Sequence, residues 1–273
     1  MAITTDLFDL SGKTALITGG AGQIGAAIGK GLAQHGARVM LADMKDFAEK
    51  AAPAMNQALD AHDDDPLVAG VSLDVTDQSS IEQAVAATVD RFGSLDILVN
   101  CAGVNLKKPT LDVTDDEERF IMEVNYFGPL YAAKVAARQM IKQARGGAIV
   151  NICSVTSFMA LSEVTAYACS KSALLGLTRQ LAVEWIFEGI RTNAVAPGFV
   201  PAGQNREILR SGDRGRRILE HTPMERFGHP DEIAGAVVYL CSEAGSFVNG
   251  ACIKIDGGYM ISGVSDAQAK EDA

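Results

Sequence analysis

Short, almost wholly apolar runs at 14–18, 38–42, 68–73, 97–99, 148–152, 192–196 and 252–255 limit what this chain can fold into. They do not alternate apolar with polar residues, so they read as strands buried on both faces rather than on one. Longer stretches with helical spacing separate them, among them IGAAIGKGLAQHG, SSIEQAVAATVDRFG and DDEERFIMEVNYFGPLYAAKVAARQMIKQ. Strands that alternate with helices are joined by crossovers, and crossovers make neighbouring strands parallel. The expected fold is therefore α/β, a doubly wound parallel sheet of about seven strands with helices on both faces. Helix starts carry their own signals: Thr114 and Glu117 have capping-box spacing, and Pro230 suits a first helical position. With no Pro/Ser-rich linker and no repeat, residues 1–264 read as one domain, followed by a polar tail at 265–273 expected to be disordered. The run DAHDDDP reads as a solvated loop.

Composition excludes several functions. The formal net charge of −10 repels phosphate backbones and anionic membranes, so neither nucleic acid nor a membrane surface is an expected partner. The longest apolar stretch, IAGAVVYLC, stops at Ser242-Glu243, well short of the ~18 residues that span a bilayer. The first residues, MAITTDLFDLSGK, do not resemble a secretory signal, so the expected location is cytoplasmic. Cys101, Cys153, Cys169, Cys241 and Cys252 are scattered, lie mostly in apolar strings and form no CxxC; they read as reduced core residues. The histidines are dispersed, so no metal site is expected.

After the first strand comes ITGGAGQIG, residues 17–25, which fits two glycine patterns. Gly20, Gly22 and Gly25 spell G-x-G-x-x-G; Thr18, Gly19 and Gly25 fit T-G-x-x-x-G-x-G, with Gln23 in place of the central glycine. In either case a strand ends, the backbone turns tightly, and a helix begins with free N–H groups able to face a pyrophosphate. The bland alternative is a Gly-rich turn that binds nothing. Asp43 ends the second strand, 18 residues past Gly25, where an acid can hydrogen-bond ribose hydroxyls and repel a 2′-phosphate. No Arg follows it directly, so NAD is expected over NADP, with a plain strand-end acid as the alternative. The expected architecture is a single-domain Rossmann fold.

Tyr167 and Lys171 are four residues apart, which on a helix puts them on one face about 6 Å apart along the axis. An ammonium beside a phenol, together with a positive nicotinamide ring, favours the phenolate, so Tyr167 suits a general base or acid. Ser154 ends a predicted strand 13 residues earlier and could hold a substrate oxygen.

From its first strand to IDGGY (255–259), the chain resembles the short-chain dehydrogenase/reductase family. The likeness rests on TGGAGQIG, LDV at Asp74–Val75, VNCAG with Asn100, Ala102 and Gly103, VNYFG with Asn125, and then Ser154, Tyr167, Lys171 and PGFV. It implies that Asn125, Ser154, Tyr167 and Lys171 form a catalytic tetrad, with Asn125 ordering a water that relays protons. It further implies that Thr18, Gly19, Gln23, Ile24, Gly25, Asp43, Asp74, Val75, Asn100, Ala102, Gly103, Tyr167, Lys171, Pro197, Gly198 and Val200 surround the cofactor. Within them Asp74 and Val75 lie beside the adenine, Lys171 binds the nicotinamide ribose and the Val200 backbone meets the carboxamide. The family pattern is the T-G-x-x-x-G-x-G one, which makes Gly20 and Gly22 variable positions. Departures are Gln23, Cys101 in place of an Asn, and Ala202 where many members carry Thr.

Substrate contacts in this family follow the catalytic serine and the P-G, which gives a lid at about 198–228. The segment with Gln204–Arg206, the HTP turn and the tail DGGYMISGV resemble the sugar-acid branch of gluconate 5-dehydrogenase-like and fructuronate oxidoreductase-like enzymes. Arg206 is the candidate for a carboxylate clamp and Lys107 the second; Asn105 and Gln204 could bind hydroxyls, and Thr156 lies just after the serine. Each could equally be a solvated surface group. A polyol, steroid or 3-oxoacyl substrate is the alternative within the class, and a catalytically silent NAD-binding regulator the alternative outside it. A serine hydrolase is excluded by the lack of G-x-S-x-G. By resemblance the assembly is a homotetramer.

Overall fold

The computed structural model describes residues 5–62, 64–201 and 213–263. Its strands are β1 Thr14–Thr18, β2 Arg38–Asp43, β3 Val68–Ser72, β4 Ile97–Asn100, β5 Gly147–Ile152, β6 Ile190–Pro197 and β7 Cys252–Ile255. All neighbours pair in parallel, in the order β3-β2-β1-β4-β5-β6-β7. Every apolar run therefore forms a strand. The ends differ by a residue or two where pairing decides them: Asp43 pairs with Ser72, and Ile190 with Gly147.

Helices α1 Gln23–Gln34, α2 Phe47–Ala58, α3 Gln78–Phe92, α5 Gly128–Gln143, α6 Thr165–Glu184 and α8 Pro230–Cys241 cover the sheet, while α4 Asp115–Met122 packs on α6 and α7 Asp213–Glu220 on Tyr259. Successive strand residues point to opposite faces and so feed two separate cores. Ile17, Val39 and Leu41 pack with Ile28 and Leu32 of α1 and Val237 of α8. Leu16, Met40 and Leu98 pack with Ile81 of α3 and Ala136 and Met140 of α5. The capping boxes at Thr114 and at His229, just before Pro230, both form.

The run expected to be one helix from Asp115 onward is broken. A π-helical turn, Glu123–Phe127, separates α4 from α5. Pro129 explains why an unbroken helix fails here: it has no N–H to give the carbonyl four residues back, which is that of Asn125. Such bulges often mark functional positions. The cysteines also need a correction, since Cys169 is exposed. It lies two residues from both Tyr167 and Lys171, so it falls on the opposite side of α6 from them.

The strand order reverses between β1 and β4, which opens a crevice beyond their C-terminal ends. Thr18 fixes the rim, its buried Oγ1 accepting the N–H groups of Cys101 and Ala102, each at 3.2 Å. Thr18→Val should therefore leave both donors unsatisfied and cost about 1–3 kcal/mol. Urea unfolding would measure this as a lower midpoint with an unchanged slope.

Candidate active site

The crevice begins at the glycine turn. Gly19 has φ +67°, and a Cβ there would lie 2.8 Å from the Ala102 backbone. A Cβ on Gly25 would lie 2.2 Å from the Gly19 carbonyl oxygen, so the start of α1 presses directly on the turn. These two positions carry the T-G-x-x-x-G-x-G reading. Gly20 is more than variable filler, because its N–H bonds Ala42 and a Cβ would reach Leu41 at 3.0 Å. Gly22 caps α1 with no side-chain hydrogen bond, leaving the first N–H groups of the helix to the crevice. Gln23 is the first helical residue and is exposed at the mouth; Ile24 anchors the turn to the core.

Asp43 lies beside this turn. Its carboxylate accepts the Ala21 N–H at 2.9 Å and the Met44 N–H at 2.8 Å, pinning the glycine turn to the end of β2. Asp74 is exposed and holds the Thr76 N–H and hydroxyl, while Val75 is buried against Gly128. Gly198 donates its N–H to Ile255, and a Cβ on it would strike Asp256 at 2.7 Å; Pro197 pairs with Ile255, and Val200 is buried. The Asn100 side chain ties the strand ends to α6. Its amide is buried and donates to Asn151 at 2.8 Å, and Asn151 donates to Thr178, which stitches β4 and β5 to α6. Asn100 Oδ1 is buried without a partner among the described residues.

Asn125, Ser154, Tyr167 and Lys171 come from the π turn, the end of β5 and α6. Ser154 caps a short turn, its Oγ accepting the Thr156 N–H at 3.2 Å and keeping its own O–H to donate. The ammonium of Lys171, 4% exposed, lies 5.8 Å from the Tyr167 ring centroid and donates to the Ile152 carbonyl at 2.8 Å. Asn125 is fully buried, its Oδ1 accepting the Val104 N–H and its Nδ2 donating to the Val104 carbonyl and to Ser170 Oγ. Gly103 keeps room for both, since a Cβ there would lie 3.3 Å from Asn125 Oδ1 and 3.4 Å from Lys171 Nζ.

Ser170 was not legible as a site residue. Its hydroxyl donates to the Tyr167 carbonyl at 2.7 Å while accepting from Asn125, so it couples the π turn to the backbone of Tyr167. Ser157, which donates to the Lys171 carbonyl, braces the other end. The available signal was a small polar residue three positions after Tyr167, on its inward face.

The substrate candidates separate. Thr156 is buried, and its Oγ1 has no partner. Asn105 is exposed, and Lys107 is occupied by Glu163 at 3.1 Å. Gln204 and Arg206 lie outside the described residues, as does Ala202. The Cys101 thiol is pushed up to about 12 by burial, so it stays neutral. Among the described residues no grouping of His, Cys, Asp and Glu suits a metal, and no helix is long and apolar enough to cross a membrane.

A family model described as enoyl-(acyl carrier protein) reductase matches residues 19–260. D-threitol dehydrogenase of Mycolicibacterium smegmatis is 37% identical over 255 residues, covering 93% of this chain and 95% of that one. 2-Dehydro-3-deoxy-D-gluconate 5-dehydrogenase of Dickeya dadantii is 34% identical over 256 residues, covering 93% and 97%. Among solved structures, a gluconate 5-dehydrogenase from Burkholderia cenocepacia in complex with NADP and tartrate has a TM-score of 0.88 at 32% identity, covering 94% and 99%. The chain belongs to the short-chain dehydrogenase/reductase family. It is an oxidoreductase that uses a nicotinamide cofactor on an alcohol or ketone.

Ser170→Ala should remove the link between Asn125 and Tyr167 and lower kcat about tenfold, with KM changed much less. Steady-state kinetics would show this, and an equal rise in KM would point to general loosening instead.

Proposed function

We propose that the chain interconverts a secondary alcohol and a ketone on a small sugar acid, with NAD as cofactor. The observation that carries this reading is the convergence of Ser154, Tyr167 and Lys171 at the crevice edge beside an uncapped helix start and a strand-end aspartate. The glycine turn fits a pyrophosphate because side chains are excluded at Gly19 and Gly25. Asp43 would hold the ribose hydroxyls, and Lys171, with N–H groups beyond the one given to Ile152, would hold the second ribose. When bound, the nicotinamide supplies the hydride chemistry.

The protein's own part is to move one proton and stabilise one oxygen. Ser154 holds the substrate oxygen through its O–H. The Tyr167 phenolate oxygen takes the alcohol proton in oxidation, and the resulting phenol returns it in reduction. The buried Lys171 charge stabilises negative charge on that phenol oxygen, an effect strengthened where water is excluded. Asn125 keeps the π turn against Val104 and, through Ser170, against α6.

Preference for NAD rests on the Asp43 carboxylate, which repels a 2′-phosphate. The NADP in the Burkholderia cenocepacia enzyme belongs to that protein. The sugar-acid reading draws on the gluconate-type relatives, and the D-threitol dehydrogenase supports a neutral polyol as the second reading. Exposed Val183 and Phe187 at the end of α6 suit pairing with further copies of the chain, in keeping with a homotetramer.

Tyr167→Phe should abolish turnover, by 10³-fold or more on the order of a lost general base with its oxyanion stabilisation, while NADH binding stays nearly intact. Substantial residual turnover would remove the base from Tyr167, and a wild-type enzyme inert toward aldonates, ketoaldonates and polyols would favour the silent regulator. Asp43→Asn keeps an acceptor for the glycine turn but drops the charge, so the NADP/NAD ratio of kcat/KM should rise about tenfold or more. An unchanged ratio would deny Asp43 a role in cofactor choice.

A further inference from the structure

Helix α7 packs through Ile218 on Tyr259, just past β7, and carries three arginines that behave differently. Arg216 pairs with Asp213 and Glu220, and Arg217 pairs with Asp213. Arg214 has no acidic partner among the described residues, yet it is half-buried. The reason is the face it occupies. Arg214, Ile218 and His221 follow each other at spacings of four and three, one line along the helix.

That line is turned inward. Ile218 is 6% exposed and packs on Tyr259, in a small cluster completed by Met159, Phe199, Phe227 and Met260. His221 meets the Tyr259 ring edge-on, with centroids 4.8 Å apart. Burial raises the Tyr259 phenol and the charge of Arg214 opposes that rise, so the guanidinium is within electrostatic reach of the ring. Met159 joins the cluster to the catalytic serine, because its N–H bonds Val155 in the turn that Ser154 caps.

A guanidinium drawn out of water without a counter-charge is costly, and the cost disappears when an anion docks on it. Lys107, the second candidate for a substrate carboxylate, already has Glu163. We infer that Arg214 binds the carboxylate of the substrate through its planar fork, on the inward face of α7 beside Tyr259. This rests on the sugar-acid reading above. It assigns to α7 the acid-recognising role for which the sequence suggested Arg206.

The test uses the full-length enzyme with D-gluconate, 5-keto-D-gluconate and D-threitol as probes and tartrate as an inhibitor. Arg214→Ala should raise KM for the two acids about 10- to 100-fold while kcat changes by less than about threefold, and should weaken tartrate inhibition in parallel. KM for D-threitol should stay unchanged, Arg214→Lys should recover part of the loss, and Arg216→Ala should match wild type. NADH affinity, measured alongside, certifies that each variant is folded. If wild type turns over the acids and Arg214→Ala raises KM for acid and polyol alike, or for neither, the inference falls and the sugar-acid reading survives. If wild type accepts D-threitol and neither acid, the sugar-acid reading falls and takes the inference with it.

Discussion

The rest of the molecule depends on a parallel sheet whose order of growth reverses between β1 and β4. Parallel neighbours force each connection to cross a face, so both faces are covered and all strands end at the same edge. At the reversal two successive crossovers leave in opposite directions and no helix covers the gap. Thr18, the glycine turn, Asp43 and Ser154 all sit at strand ends along that edge. Their sequence separations look arbitrary only when the sheet is ignored.

Within that frame the site is held by buried polar groups that are hydrogen-bonded except at Asn100 Oδ1 and Thr156 Oγ1. Lys171 is an ammonium with only 4% exposure, a placement tolerable because it bonds the Ile152 carbonyl and faces an aromatic ring. Two parallel chains of hydrogen bonds frame it. One runs from Asn100 through Asn151 to Thr178, the other from Val104 through Asn125 and Ser170 to Tyr167. Both end on α6, so the helix carrying the tyrosine and lysine is fixed to the sheet edge at two levels.

Much of this was legible from residue order alone, because burial on both faces leaves a strong apolar signature. All seven strands, both helix caps and the glycine turn could be placed in advance. What escaped has a physical cause in each case. The break at Asn125 is a backbone event set by Pro129 and a cross-loop amide bond, and apolar periodicity runs through it unchanged. The bond from Asn100 to Asn151 joins residues 51 positions apart, which neighbouring sequence does not show. Lys107 pairs with Glu163, 56 positions away, so the pairing leaves no local trace in the sequence. Arg214 was hidden among similar residues and distinguished only by which side of α7 faces Tyr259.

The amide of Asn125 meets three partners, one that donates to it and two that accept from it. Among side chains of that size only an uncharged carboxamide offers this one-to-two ratio. An aspartate of equal shape would turn two attractive contacts into oxygen facing oxygen, and a leucine would strand all three partners. Position 125 is therefore selected by its count of donors and acceptors more than by volume or charge. The same parity explains why a residue buried so completely can lie at a helix discontinuity without loosening it.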